Sequence, residues 1–242
     1  MLLKKITVTN EHCKNDGTIK LSALQLMMQD CAGEDFDNYG TTGDEMRKNG
    51  MAFVITRISM DLFMDIRCGD RLEILTVHDH SEGVALIREY AIFSQNGYCC
   101  RATTVWIVLN LDTRRILRPS AIEHYPPNVN FFPTQVEYEK KVFGKDSTAE
   151  YITDITVEKE HIDVNGHVNN TYYQEFVFTA LNGICSDKFL SHVQISYLHE
   201  AFEGDVLKLY GLFDDNEARI KAQNGDNACF EAVVKFTEKN NG

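Results

Sequence analysis

Proline is scarce in this chain and confined to one place. The four prolines all fall between positions 119 and 133. Proline has no backbone N–H and fixes φ, so helices and central strands avoid it; the stretch 119–135 therefore reads as a connector. Long apolar runs are missing as well. Uninterrupted apolar stretches reach only 51–55 and 105–109, far short of the roughly 20 residues that cross a bilayer, so no membrane insertion is expected. Lys4 and Lys5 follow the first apolar residues too closely to leave a signal-peptide core.

The seven cysteines (Cys13, Cys31, Cys68, Cys99, Cys100, Cys185 and Cys229) are odd in number and form no C-x-x-C pair. A disulfide framework and a cysteine zinc site are both disfavoured, and free thiols in a reducing cytoplasm are the expectation. Basic side chains are outnumbered, 24 against 36 acidic, for a net charge of −12. A general nucleic-acid binder needs a basic face to displace counterions, which this balance opposes. No G-x-G-x-x-G, P-loop or H-E-x-x-H motif occurs, so no nucleotide cofactor or metal is expected. On a strand, His78 and His80 would share a face, but no acidic or sulfur ligand at motif spacing accompanies them, and they read as a polar strand end.

What is present is a repeat. The connector, taken as 119–145, separates an N-terminal half, 1–118, from a C-terminal half, 146–242. In the first half Asp16-Gly17-Thr18-Ile19 opens a helical stretch over 21–36, with Leu21, Leu24, Met27, Met28 and Cys31 at helical spacing. In the second, Asn165-Gly166-His167-Val168 opens another from about 169 to 181, striped by Tyr172, Tyr173, Phe176, Val177 and Ala180. Each helix is followed at an interval by Gly-Asp, at Gly69-Asp70 and at Gly204-Asp205, and then by strand-like runs. Anchoring on Gly-Asp pairs Asp65 with Glu200. Strands are expected over 71–78, 84–93 and 98–110, and over 206–213, 217–222 and 227–237, with hairpin turns at Asn96-Gly97 and Asn224-Gly225. A long helix with one apolar stripe needs a sheet face to bury it. The expected class is α+β, a tandem hotdog in which an antiparallel sheet wraps each helix.

The chemistry concentrates in His161-Ile162-Asp163-Val164-Asn165-Gly166-His167-Val168-Asn169-Asn170-Thr171-Tyr172-Tyr173. Glycine there permits φ > 0 in the entering turn, and Asp163, Asn165 and Asn169 are good capping types. This segment resembles the Asp-x-Asn-x-His-Val-Asn-Asn motif of plant and bacterial acyl-ACP thioesterases. Two further passages are similar to that family: Val105-Trp106 through Asn110-x-Asp112-Thr113-Arg114-Arg115, and Tyr197-Leu198-His199-Glu200. The resemblance implies a double hotdog that releases fatty acid from acyl carrier protein, with Asp163, Asn165, His167 and Glu200 as the catalytic group. Plant members often carry Cys after the Glu; here Ala201 stands there, so a cysteine nucleophile at that point is excluded and water attack with Glu200 as base is favoured. Which of Asp163 and Glu200 is the base is not legible in the sequence.

The first half has Thr18 at the place of His167, so it is expected to bind while the second catalyses. The resemblance places the acyl chain between helix and sheet of the first half, with Leu24, Met27, Met28, Phe53, Ile55 and Trp106 as candidate lining residues. Acyl carrier protein is acidic. Arg114, Arg115 and Arg118, and separately Lys140, Lys141 and Lys145, are candidate docking cations. An acyl-CoA thioesterase, a non-catalytic acyl-binding protein and a hotdog dehydratase are the competing readings. A homodimer is compatible with all of them.

Overall fold

A computed structural model of the chain describes residues 1–129, 136–144, 148–184 and 187–239; Lys145 and Cys185 lie outside the described residues. The chain divides into two compact units, Met1–Val136 and Glu137–Gly242, a boundary inside the 119–145 segment. That segment contributes packing as well as connection: Ile122 and Tyr125 join the first unit's core beside Phe36, Met46 and Val108, while Val142 and Phe143 pack with Val233 in the second.

The first unit contains β1 (Leu2–Thr7), α1 (Leu21–Asp37), α2 (Gly43–Lys48), β2 (Met51–Leu62), β3 (Arg71–Glu82), β4 (Ala85–Ser94), β5 (Gly97–Asn110) and β6 (Ile116–Leu117). Its sheet is antiparallel in the order β1-β3-β4-β5-β2, with β6 on β5. The second contains β7 (Glu150–Thr156), α3 (Tyr172–Leu181), β8 (Phe189–Tyr197), β9 (Val206–Phe213), β10 (Glu217–Asn224) and β11 (Asn227–Thr237), in the order β8-β11-β10-β9-β7, also antiparallel. In each unit the long helix lies against the sheet, α1 on β3 and β1, α3 on β10, β9 and β7. The chain is α+β, two hotdog units in tandem.

The strands follow from local chemistry. β4 and β5 are joined by a two-residue loop, Ser94 pairing with Gly97, which sits at φ +130°. Asn224 pairs with Asn227 across Gly225, at φ +59°. Both are two-residue hairpin loops at the expected places, but their central residues are Gln95-Asn96 and Gly225-Asp226, each one residue away from a centred Asn-Gly. α3 starts at Tyr172 rather than 169 because the Asn169 side chain takes the Thr171 N–H at 3.0 Å and the Thr171 hydroxyl at 3.0 Å. That Asx turn leads the backbone into the helix, and Thr171 already has helical angles, φ −70° and ψ −29°. The helix ends at Asn182 in the left-handed region, φ +42°, followed by Gly183.

The repeat extends to individual hydrogen bonds. In the first unit Ile19 N–H donates to Ile66 O at 2.8 Å, Arg67 N–H to the Asp70 carboxylate at 2.8 Å, and Gly69 N–H to Val8 O at 2.8 Å. In the second, Val168 N–H donates to Ala201 O at 2.8 Å, Phe202 N–H to the Asp205 carboxylate at 2.8 Å, and Gly204 N–H to Val157 O at 2.9 Å. These bonds equate Asp65 with Glu200 and Thr18 with His167, the pairing obtained from the Gly-Asp anchors.

A bulge separates His78 from His80, which pair with Arg88 and Ile87 across β4. The extra residue, Asp79, is buried and lies 2.9 Å from His80 Nδ1, whereas His78 is buried against the Tyr125 hydroxyl at 3.0 Å. The bulge breaks the alternation that would have set both imidazoles on one face.

Candidate active site

The site grows from one tight loop of the second unit. Ile162 bridges Val168, and Asp163 N–H donates to His167 O at 2.9 Å. Closing a loop that small requires Gly166 at φ +86°, a conformation that costs other residues strain. Within the loop the Asp163 carboxylate accepts twice from Asn165, from the backbone N–H at 2.7 Å and from Nδ2 at 2.9 Å. The carboxylate of Asp163 thus shapes the loop that presents His167.

Glu200 arrives from a distant part of the chain. The bond from Val168 N–H to Ala201 O fastens the loop to the segment after β8, and His199 Nδ1 lies 2.7 Å from Ala228 O, anchoring that segment to β11. The Tyr197 hydroxyl donates to Asn170 O at 3.2 Å. As a result His167 stands between two carboxylates, Nδ1 being 3.7 Å from Asp163 Oδ2 and Nε2 being 3.8 Å from Glu200 Oε1. Both separations exceed hydrogen-bond length. The His167 side chain is about a quarter exposed, at 26%, so the group is open to a substrate. Asn165 is exposed beside it. The structure therefore brings all four sequence-derived catalytic candidates into one unit.

The helix stripe read from the sequence already contained Tyr172, Tyr173 and Phe176; what it did not give is the ring cluster they join. Tyr173 is buried and rings with Phe176, Tyr197 and Phe230 at 5.3–5.7 Å; burial raises its phenol above the ordinary range. His161 Nδ1 accepts from Glu158 N–H at 2.9 Å and its ring packs on Tyr172 and Phe176, so this imidazole is structural. The first unit repeats the contact, with His12 Nδ1 accepting from Thr9 N–H at 3.0 Å.

The corresponding loop of the first unit has the same backbone and different chemistry. Asp16 accepts from Thr18 N–H at 2.9 Å and from its hydroxyl at 2.6 Å. Asp65, at the place of Glu200, is ion-paired to Arg67 at 2.8 Å. No imidazole stands between the two.

The first unit instead carries a cavity of about 160 Å³, between α1, α2 and the sheet, with Phe53 and Trp106 among its walls. The other sequence candidates lie elsewhere: Leu24, Met28 and Ile55 are fully buried core, Met27 is nearly so, and none lines the cavity. The wall on α1 is a different stripe, Gln29, Ala32, Gly33, Phe36 and Asp37. Sequence reading chose the most apolar stripe, and that one is buried core. Deeper walls include Leu86, Arg88 and His78. Burial, with Arg88 adding to it, pushes His78 down to about 4, so it is neutral. Arg88 is ion-paired with buried Asp35 at 2.8 Å.

The candidate docking cations Arg114, Arg115 and Arg118 are exposed around β6, with Arg114 at φ +56°. Lys140 and Lys141 are exposed in the second unit. Among the described residues no group of three or more His, Cys, Asp or Glu side chains is arranged to hold a metal ion, and no helix is long and apolar enough to cross a membrane.

Comparison with known proteins agrees with this architecture. The chain is similar to a palmitoyl-acyl carrier protein thioesterase of Arabidopsis thaliana, 29% identical over 180 residues that cover 71% of this chain and 43% of the relative. It is also similar to one of Gossypium hirsutum, 27% identical over 228 residues, covering 88% and 55%. The chain spans about half the length of the curated relatives it matches. In fold it is similar to an acyl-ACP thioesterase from Bacteroides thetaiotaomicron, with a TM-score of 0.84 at 20% identity over 97% of both chains. A 12:0-ACP thioesterase from Umbellularia californica gives 0.83 at 21% identity, covering 98% of this chain and 97% of that one. Residues 3–121 match the acyl-ACP thioesterase N-terminal domain and residues 144–233 the acyl-ACP thioesterase C-terminal domain. With the two domains in order along most of its length, the chain belongs to the acyl-ACP thioesterase family.

Proposed function

We propose that this protein hydrolyses the thioester of acyl groups carried on acyl carrier protein and releases the free fatty acid, with Asp163, Asn165, His167 and Glu200 as its catalytic group. The observation that carries this reading is His167 held between the Asp163 and Glu200 carboxylates, at 3.7 and 3.8 Å. Both Asp163 oxygens already accept from Asn165, which favours Glu200 as the base. Glu200 takes a proton from water, and the water oxygen attacks the thioester carbonyl. An N–H of the His167 imidazole, steadied by Asp163, donates to the carbonyl oxygen as negative charge develops there. The C–S bond then breaks, the electron pair leaves on sulfur, and the proton held by Glu200 passes to the thiolate, which restores the carboxylate. The products are fatty acid and the thiol of the carrier.

The first unit binds the acyl chain in this reading, in the cavity walled by Phe53 and Trp106. Arg114, Arg115, Arg118, Lys140 and Lys141 attract the acidic carrier, in a cytoplasm that keeps the thiols reduced. All four catalytic candidates lie within one unit, so the reading does not depend on a homodimer. The test is release of thiol from acyl-ACP and from acyl-CoA by the wild type, His167→Ala and Glu200→Gln. Release from acyl-ACP that both variants lose supports the proposal. Release from acyl-CoA alone would reassign the carrier, and binding without turnover would leave an acyl-binding protein.

A further inference from the structure

Two cysteines of the first unit meet at a corner where the second unit has none. Cys13 bridges Ile19 as Ile162 bridges Val168, and Cys68 precedes Gly69 as Glu203 precedes Gly204. The repeat therefore sets Cys13 and Cys68 where Ile162 and Glu203 stand in the other half. Cys13 is half-buried and Cys68 is exposed, whereas Cys31, Cys99, Cys100 and Cys229 are buried. Neither member of the pair belongs to the proposed catalytic group or lines the first unit's cavity.

Backbone and side-chain bonds bring the two together from distant parts of the chain. Cys68 N–H donates to Gly17 O at 3.0 Å, which fastens the segment after β2 to the loop that follows Cys13. Asn10 touches both cysteines: its backbone carbonyl accepts from Cys13 N–H at 3.1 Å, and its side-chain oxygen accepts from the Cys68 thiol at 2.7 Å. The Cys13 thiol hydrogen-bonds to the Cys68 sulfur. Burial, with the Cys68 sulfur adding to it, raises the Cys13 thiol, which keeps it the proton donor of the pair. An exposed thiol with a second thiol in contact is the arrangement of an attacking and a resolving cysteine.

We propose that Cys13 and Cys68 are a redox pair, which a hydroperoxide closes into a disulfide and a thiol reductant reopens. Cys68, as thiolate, attacks one peroxide oxygen; the O–O bond breaks and leaves Cys68 as a sulfenic acid with release of hydroxide. The Cys13 sulfur then attacks the Cys68 sulfur, the S–O bond breaks, and hydroxide leaves. The two thiol protons complete two waters, so two thiols give up two electrons to one peroxide. A reducing thiol reverses the bond by exchange. The disulfide ties the turn before α1, where Lys20 N–H donates to His12 O at 2.8 Å, to the segment between β2 and β3. It is a staple that oxidising conditions add to the first unit alone.

The test treats the reduced full chain with hydrogen peroxide, blocks the remaining thiols with iodoacetamide, and maps unreduced peptides by mass spectrometry. Wild type, Cys13→Ser, Cys68→Ser and Cys185→Ser are compared. The expected result in the wild type and in Cys185→Ser is a linked pair of peptides containing Cys13 and Cys68, with a melting temperature higher by about 5–10 °C. Dithiothreitol reverses both. Cys13→Ser and Cys68→Ser lose the link and the rise, and Cys13→Ser leaves Cys68 as a sulfenic acid that dimedone labels. A wild type in which both thiols are still alkylated after peroxide overturns the proposal. So does Cys68 oxidised to sulfinic acid without a link, or linked to another cysteine. The wild-type map decides by itself, so a variant that fails to fold does not obscure the outcome. No thioester is cleaved, so the result is independent of the proposed hydrolysis.

Discussion

Asp163 accepts two hydrogen bonds from one residue, Asn165, one on each carboxylate oxygen, at 2.7 and 2.9 Å. The pair closes the loop that presents His167, and it fixes Asp163 in an orienting position while Glu200 faces the other ring nitrogen. Removing Glu200 and removing Asp163 should therefore have different signatures. Glu200→Gln is expected to lower kcat by about 10²–10⁴-fold with little change in KM. Asp163→Asn should lower kcat less and, having lost the carboxylate that organises the loop, also lower the melting temperature. Equal kinetic losses with unchanged stability would remove the distinction.

Gly166 makes a separable prediction. At φ +86° an added Cβ meets no atom within 4 Å, so the cost of Gly166→Ala is backbone strain alone. It should destabilise the protein by about 1–3 kcal/mol. Denaturant titration checks this, and an unchanged midpoint would mean that the loop relaxes.

Two buried groups set the pH dependence of stability. Burial, partly offset by the Thr103 hydroxyl, raises Glu89 from 4.5 to about 8, so its contribution is complete below about pH 4.5 and is lost as pH rises through 8. Burial lowers His78 from 6.5 to about 4, so its contribution is complete above 6.5 and is lost as pH falls through 4. Between 4.5 and 6.5 the two slopes oppose each other. From 6.5 to 8 only Glu89 acts, and stability should fall by about 1.4 kcal/mol per pH unit. Glu89→Gln should abolish that fall and expose a rise between 4.5 and 6.5. Parallel curves for the variant and the wild type would show that Glu89 is not the group.

The Asp35–Arg88 pair, with side chains 1% and 8% exposed, gives a stability test. Asp35→Leu leaves a buried guanidinium without its carboxylate and should cost about 3–5 kcal/mol. Adding Arg88→Met removes the stranded charge and should recover most of the loss. No recovery in the double variant would show that the cost lies in packing.

Docking is tested by charge reversal. Arg114→Glu with Arg115→Glu should raise KM for acyl-ACP several-fold, more at low salt, and leave hydrolysis of a short uncharged thioester unchanged. Equal effects on both substrates would place these arginines outside carrier recognition.

The sequence by itself determined what neighbouring residues settle between themselves. The Asn-Gly hairpins, the helix over 21–36 and the Asp163-Val164-Asn165-Gly166-His167 loop depend on turn chemistry, helical spacing and side chains two to four positions apart. The internal repeat was legible too, because the same short-range solution occurs twice. Tertiary structure decided the rest. Glu200 reaches His167 only because Val168 bonds Ala201 and β8 pairs with β11, contacts that no local pattern specifies. The cavity lies on the stripe through Gln29 and Gly33, while the more apolar stripe through Leu24 and Met28 is fully buried core. Hydrophobicity ranks which face is buried most deeply, but where a void remains depends on the volumes that the opposing elements bring.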